Sequence, residues 1–420
     1  MNKLSKNRLL LWAMPIFFLC VSMKVDWGFF GHRRINRMAV FTLPPEMIGF
    51  YKKNIEYITE HAVDPDKRRY ATKHEAVRHY IDIDHWGSYP FTEVPRNWTD
   101  VMMKYTDVYV VSGFLDTIKI FGKDLNTFED GVMTYTKRPE GNFFNHRTVE
   151  IDQDDYRKFI QEKVLSQYYE EEWKVKCNDL KSLFGKNGKN IMCQSVIAVD
   201  RFSEYGILPY HLIQMQNRLT KAFEEGDANK ILRISADFGH YIGDAHVPLH
   251  TTENYNGQLS NQEGIHAFWE SRIPELFADK SYDFFVGKAE YIEDPEEYYW
   301  DIVLTSHQML DSVLMIEKEL SEKYPQDQQY CYEQRLDRTI RTQCTEYAAE
   351  YHRRLNGQVE TRMRQSVRAL GSAWFTAWVD AGQPDLSRIG LYRLTKKEFE
   401  ALQKENEFFK QGKIKGRQHW

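Results

Sequence analysis

The sequence is short of positive charge, of strand-like alternation, of linkers and of long apolar runs. Its 56 Lys and Arg face 61 Asp and Glu, a net charge of −5. That removes a global basic field for holding nucleic acid and leaves only a local patch for the role. No stretch reaches the roughly 20 apolar residues of a transmembrane helix. Period-2 alternation is sparse, which argues against a mainly β fold. No internal repeat and no Gly/Pro/Ser-rich linker divides the chain.

What is present begins with an address. Lys3, Lys6 and Arg8 precede the apolar stretch Leu9–Val21, so residues 1–26 read as a secretory signal peptide. The other reading is an uncleaved N-terminal anchor. The expected location is secreted or periplasmic. Cys20 lies in this leader, and Cys177, Cys193, Cys331 and Cys344 remain. An oxidising compartment permits two disulfides among them. Cys177–Cys193 with Cys331–Cys344 is the local choice of three pairings, and free buried thiols are the alternative.

The whole chain, 420 residues at 42% hydrophobic, can bury a large core. Two helices are expected over residues 33–63, broken at Pro44 and Pro45. Residues 78–84 read as an extended piece or a helix end. A helix is expected near Val101–Phe121. Residues 120–205 read as an insertion; Asp152, Asp154, Asp155 and Glu170–Glu172 lack the rhythm of a Ca²⁺ loop and suggest a solvated face. From Leu208, the stripe Leu212, Met215, Leu219 and Phe223 marks a helix that ends at Gly226. Asn229–Ala245 is the next. Residues 296–320 and 331–381 are expected as further long helices, the last ending at Gly382 and Pro384. The segment 391–420 reads as a charged tail, either helical or disordered. The fold class is mainly α.

The chemistry concentrates between His240 and Glu270. His240 and Asp244 are four apart and share a helix face, and His266 and Glu270 repeat the spacing. His250 lies between them, just past Pro248. A single such pair is usually a cap or a core hydrogen bond. Two pairs and a further His supply five N and O donors suited to Zn²⁺.

Upstream residues extend the pattern. In order come Trp27-Gly-x-x-Gly-His32, an Asp in the turn Asp64-Pro-Asp-Lys-Arg-Arg69, His79-Tyr-Ile-Asp82, His240-x-x-x-Asp244-x-x-x-Pro248-x-His250 and His266-x-x-x-Glu270. This succession resembles the zinc-dependent phospholipase C / S1-P1 nuclease superfamily from Trp27 to about Glu270, and more loosely to Pro384.

The resemblance implies a helical domain over residues 27–390 with three zinc ions in a cleft, interrupted by the 120–205 insertion. It implies Asp64, His79, His240 and Asp244 on the first zinc and His250, His266 and Glu270 on the second. The third would take Trp27, His32 and a bridging Asp244. The implied reaction is hydrolysis of a P–O ester bond in a phospholipid or related phosphoester, with transient contact to a membrane surface. A single-strand nuclease on the same metals is the alternative, and an exported, non-catalytic metal-binding protein is a third. Asp64 would orient or deprotonate the attacking water, Lys67 would meet a phosphate oxygen, and Tyr80 would stack on a base.

Some positions depart from the pattern. The Trp27–His32 spacing is nuclease-like, whereas Glu270 is phospholipase-like. Gly28, Phe29 and Phe30 stand where phospholipases carry an acidic residue for choline, and Val247 stands where glutamine is common. Chelation by the Trp27 amine requires cleavage after Asp26, in a context lacking the usual small residues.

Overall fold

The computed structural model describes residues 29–112, 117–136, 148–189, 191–335, 338–389, 395–412, 415 and 417. The leader, Cys20 and Trp27 lie outside the described residues. Among the described residues no helix is long and apolar enough to cross a membrane.

The chain is mainly α. Its core is built on the helices Ala228–Ala245 and Gln358–Asp380, which pack on each other and on both Phe29–Ala39 and Leu208–Glu225, with Pro295–Gln308 against the last of these. The stripe Leu212, Met215, Leu219 and Phe223 is fully or almost fully buried in it. Truncating such a leucine costs about 2–5 kcal/mol, through lost transfer energy and the cavity left behind. The helix ends at Gly226, at φ 65°, and Asp227 caps the next helix by accepting from the Asn229 and Lys230 amides. Two polar contacts fix how the layers meet. Asn36 Nδ2 donates to the carbonyls of Ile58 (3.1 Å) and Ala236 (3.0 Å), and Tyr51 pairs with Ser235 (2.9 Å) while stacking on Trp374.

The expected helix over 101–121 stops at Tyr105. Residues Thr106–Val111 are instead a strand, with Thr117–Phe121 on one side and Ser195–Asp200 on the other. Its alternating Val108 and Val110 are buried. Trp173–Val175 completes this four-stranded antiparallel sheet, and Asn126–Glu129, Val132–Thr136 and Thr148–Asp152 form a second. The region read as an insertion is therefore β-rich, and its sheet draws in residues from 106 onward. The Cys177–Cys193 disulfide lies within it, Cα to Cα 5.9 Å.

Two further expectations change. Residues 296–320 are two helices, Pro295–Gln308 and Leu310–Ser321. Residues expected to open the helix over 331–381 form a hairpin, Tyr330–Arg335 with Arg338–Gln343, bridged by Cys331–Cys344. Helix resumes only at Thr345. The hairpin has a use: Glu333 pairs with Arg272, whose Nε also donates to the Gln343 carbonyl at 3.0 Å. This clamps the segment that carries Glu270. The two disulfides are compatible with an extracellular protein.

Candidate metal centre

Several pieces of chain converge. Phe29–Ala39 brings His32. The turn after Lys73–Ala76 brings His79, in a segment that is neither strand nor helix but is pinned by Ile81 N–H to the His250 carbonyl (2.9 Å) and Asp82 N–H to the Tyr205 carbonyl (2.7 Å). Ala228–Ala245 brings His240 and Asp244, and the 3₁₀ turn Pro248–Thr251 brings His250. His266 and Glu270 sit on Ile265–Ala267 and the π turn Phe268–Arg272 that follows it.

Three groups of donors could hold metal ions: His32, His240 and Asp244; Asp66, His79 and His240; and His250, His266 and Glu270. Asp244 stands between them. One of its oxygens lies 2.9 Å from His79 Nδ1 and 3.4 Å from His240 Nε2; the other lies 3.5 Å from His32 Nε2 and 3.9 Å from His250 Nε2. Glu270 lies 2.7 Å from His266 Nε2, 3.4 Å from His250 Nε2 and 3.3 Å from His32 Nε2.

Three of the imidazoles are held by their outer nitrogens. His240 Nδ1 meets the Ala62 carbonyl at 2.9 Å, His250 Nδ1 the His79 carbonyl at 2.5 Å, and His266 Nδ1 the Tyr255 carbonyl at 3.2 Å. Donation to a carbonyl fixes the tautomer and leaves Nε2 as a lone-pair donor, the arrangement typical of metal-ligating histidines. Gly243 makes room for this: a Cβ there would lie 2.8 Å from His32 Nδ1. The His32 ring stacks on His240 at 3.9 Å.

Electrostatics favour a cation. Burial, then the neighbouring charges of Glu270 and Asp66, push the Asp244 carboxyl well above its ordinary range. Asp66 is raised by burial despite Arg69. Burial also works against ionised Glu270, but the adjoining His250, His266 and His32 imidazoles outweigh it and hold the group well below its usual value. Burial lowers His79 and His240 far below the ordinary imidazole value, and His250 to about 4. Neutral imidazoles and crowded buried carboxylates suit divalent ions with N and O ligands.

One expected ligand is displaced. Asp64 does not join the groups; Asp66 takes that place. On the helix Asp64–Arg68 two residues are about 200° apart around the axis, so only one of the pair can face His79 and His240. The Asp64 carboxylate lies 2.5 Å from His61 Nδ1 and 2.9 Å from Lys67 Nζ. Burial opposes its charge, but His61 and Lys67 hold it below its ordinary value. Lys67 is thus engaged by Asp64 rather than aimed at the cluster. Tyr80, expected to stack on a substrate, is buried beneath the Arg417 guanidinium, 4.1 Å from its ring centre. Sequence reasoning did not select Asp66, Arg69 or Arg417. Asp66 lay two residues from the chosen carboxylate, with no local signal to separate them. No known protein family and no curated protein sequence matches this chain.

Proposed function

We propose that the chain is a secreted zinc-dependent phosphodiesterase that hydrolyses P–O ester bonds in a phospholipid or related phosphoester. The observation that carries this reading is the convergence of three ligand groups around one buried carboxylate, Asp244. Structural zinc sites are usually closed, four-ligand and single; three adjoining groups with three ligands each leave coordination positions open. Of the expected ligands, His32, His79, His240, Asp244, His250, His266 and Glu270 would hold zinc, with Asp66 in the role expected of Asp64.

Bound zinc supplies Lewis acidity to the phosphoryl oxygens and acidifies water at neutral pH. The chain's own residues supply the rest. Asp244, with imidazoles on both of its oxygens, would supply negative charge to the ions held on either side. The carbonyls of Ala62, His79 and Tyr255 fix the imidazole tautomers. Arg69 holds Asp66 by an Nη1 contact of 3.1 Å and opposes the burial that raises this carboxyl.

The test is release of a phosphorylated headgroup from phospholipid vesicles, lost with chelator and restored by Zn²⁺. Full activity in metal-free enzyme contradicts the reading. A single-strand nuclease is the second reading; it requires Arg417 to leave the Tyr80 and Tyr255 rings that it covers. Digestion of single-stranded DNA without lipid turnover selects it. A zinc-loaded protein with neither activity selects the non-catalytic metal-binding alternative.

A further inference from the structure

After the helix Lys396–Gln411, Lys415 and Arg417 form a strap at the edge of the metal cluster. That helix packs on Asp64–Arg68, with Phe409 edge-on to Tyr70 at 5.1 Å. Beyond it, the Lys415 amide donates to the Arg69 carbonyl at 3.3 Å, and Arg69 Nη2 donates to the Arg417 carbonyl at 2.7 Å. Arg69 thus holds this strap with one nitrogen and cluster residue Asp66 with another.

The Arg417 side chain enters a preformed recess. Its Nη1 lies 2.6 and 2.5 Å from the two oxygens of Asp82, and its Nη2 donates to the Thr252 carbonyl at 3.0 Å. Tyr255 and Tyr80 flank it, their ring centres 3.7 and 4.1 Å from the guanidinium carbon. Asp82 is only 5% exposed. Two aromatic faces, a buried carboxylate and an aimed carbonyl are complementary to a flat cation with several donors; an ammonium would use them less fully. The fit to this particular occupant is incomplete, because Arg417 Nε is buried without a hydrogen-bond partner.

Each wall adjoins the cluster. Tyr80 follows His79, Thr252 lies two residues past His250, and the Tyr255 carbonyl meets His266. On the outer side a cavity of about 610 Å³ is lined by Tyr80 and Arg417 together with the acidic Glu170, Glu171 and Glu204. It offers room and favourable charge for the body of a cationic ligand.

We propose that Tyr80, Asp82 and Tyr255 form a guanidinium-recognising site at the rim of the metal cluster, filled in cis by Arg417 and taken by a guanidinium-bearing ligand when the strap is displaced. The proposal does not depend on the phosphodiesterase reading. It is tested by calorimetric titration of the full chain with acetylarginine amide. Arg417→Ala should bind one equivalent saturably, at least tenfold tighter than the unaltered chain, whose own arginine competes. Adding Tyr255→Ala should weaken that binding at least tenfold, and acetyllysine amide should bind more weakly than the arginine probe. If Arg417→Ala fails to fold, Arg417→Lys, which keeps the charge and loses the planar fork, carries the same test. Equal binding by the altered and unaltered chains overturns the proposal, as does no binding by a variant whose circular dichroism matches the unaltered protein.

Discussion

His240 with Asp244 and His266 with Glu270 have the same sequence spacing and different surroundings. The first pair lies on one regular helix, Ala228–Ala245, with both side chains buried. Its acid is short, and it meets imidazoles from three other segments. The second pair straddles a π turn, Phe268–Arg272, and its longer acid is partly exposed. A π turn adds a residue to the helical cycle and is frequent at functional sites. Here it lets one carboxylate reach His266 on its own segment as well as His32 and His250. The comparison teaches that a spacing of four identifies a pair, while the backbone beneath it decides whether the acid sits at the hub or the rim of the cluster.

The largest effect is expected at the hub. Asp244→Asn removes the carboxylate that faces His32, His79 and His240, so bound zinc should fall by more than one equivalent per chain. Elemental analysis after dialysis checks this. Loss of only one equivalent would reduce Asp244 to an ordinary ligand and erase the contrast with Glu270.

Next comes the choice between two acids on one short helix. Asp66→Asn should cost about one zinc equivalent, whereas Asp64→Asn should leave zinc content intact and loosen Lys67 and His61. The reverse result would restore Asp64 as the ligand and place the helix Asp64–Arg68 in a different rotation.

At the rim, Glu270→Asp withdraws the carboxylate by one methylene from three imidazoles. Because a donor itself moves, zinc affinity of the His250–His266 group should fall by at least the roughly 10–100-fold that losing an outer hydrogen-bond partner costs. The Asp244 groups should keep their metal. Competition with a chelator of known affinity measures both.

The smallest effect concerns protons in the metal-free protein. The native His250 value is lowered to about 4, chiefly by burial, against about 6.5 in the unfolded chain. Between these values the unfolded state binds the proton and the native state does not. The His250 contribution is therefore fully present above about pH 6.5 and is lost as pH falls towards about 4. The stability of the unaltered chain relative to His250→Gln, from urea unfolding, should shrink by roughly 2–4 kcal/mol over that window. A difference that stays constant with pH would contradict a buried neutral imidazole.

What the sequence made legible was local. The helix Leu208–Glu225 could be read from its apolar period, its stop from Gly226, and both four-residue pairs from helical geometry alone. Asp66 could not be told from Asp64, because their roles depend on how a five-residue helix is rotated by its tertiary contacts. The strand Thr106–Val111 was read as helix because one of its partners, Ser195–Asp200, lies almost ninety residues away. Residues near 331 were likewise read as helix, although the hairpin's cross-strand pairs and a disulfide override that pattern. Arg417 carries no motif, and its partner Asp82 lies 335 residues away.

The central claim is a multinuclear zinc centre organised by Asp244. Native mass spectrometry of the purified chain, after exchange into metal-free buffer, counts the ions directly. The account predicts three zinc ions per chain, falling to one or none in Asp244→Asn. A folded chain that binds no zinc, or whose zinc count is unchanged by Asp244→Asn, would contradict it.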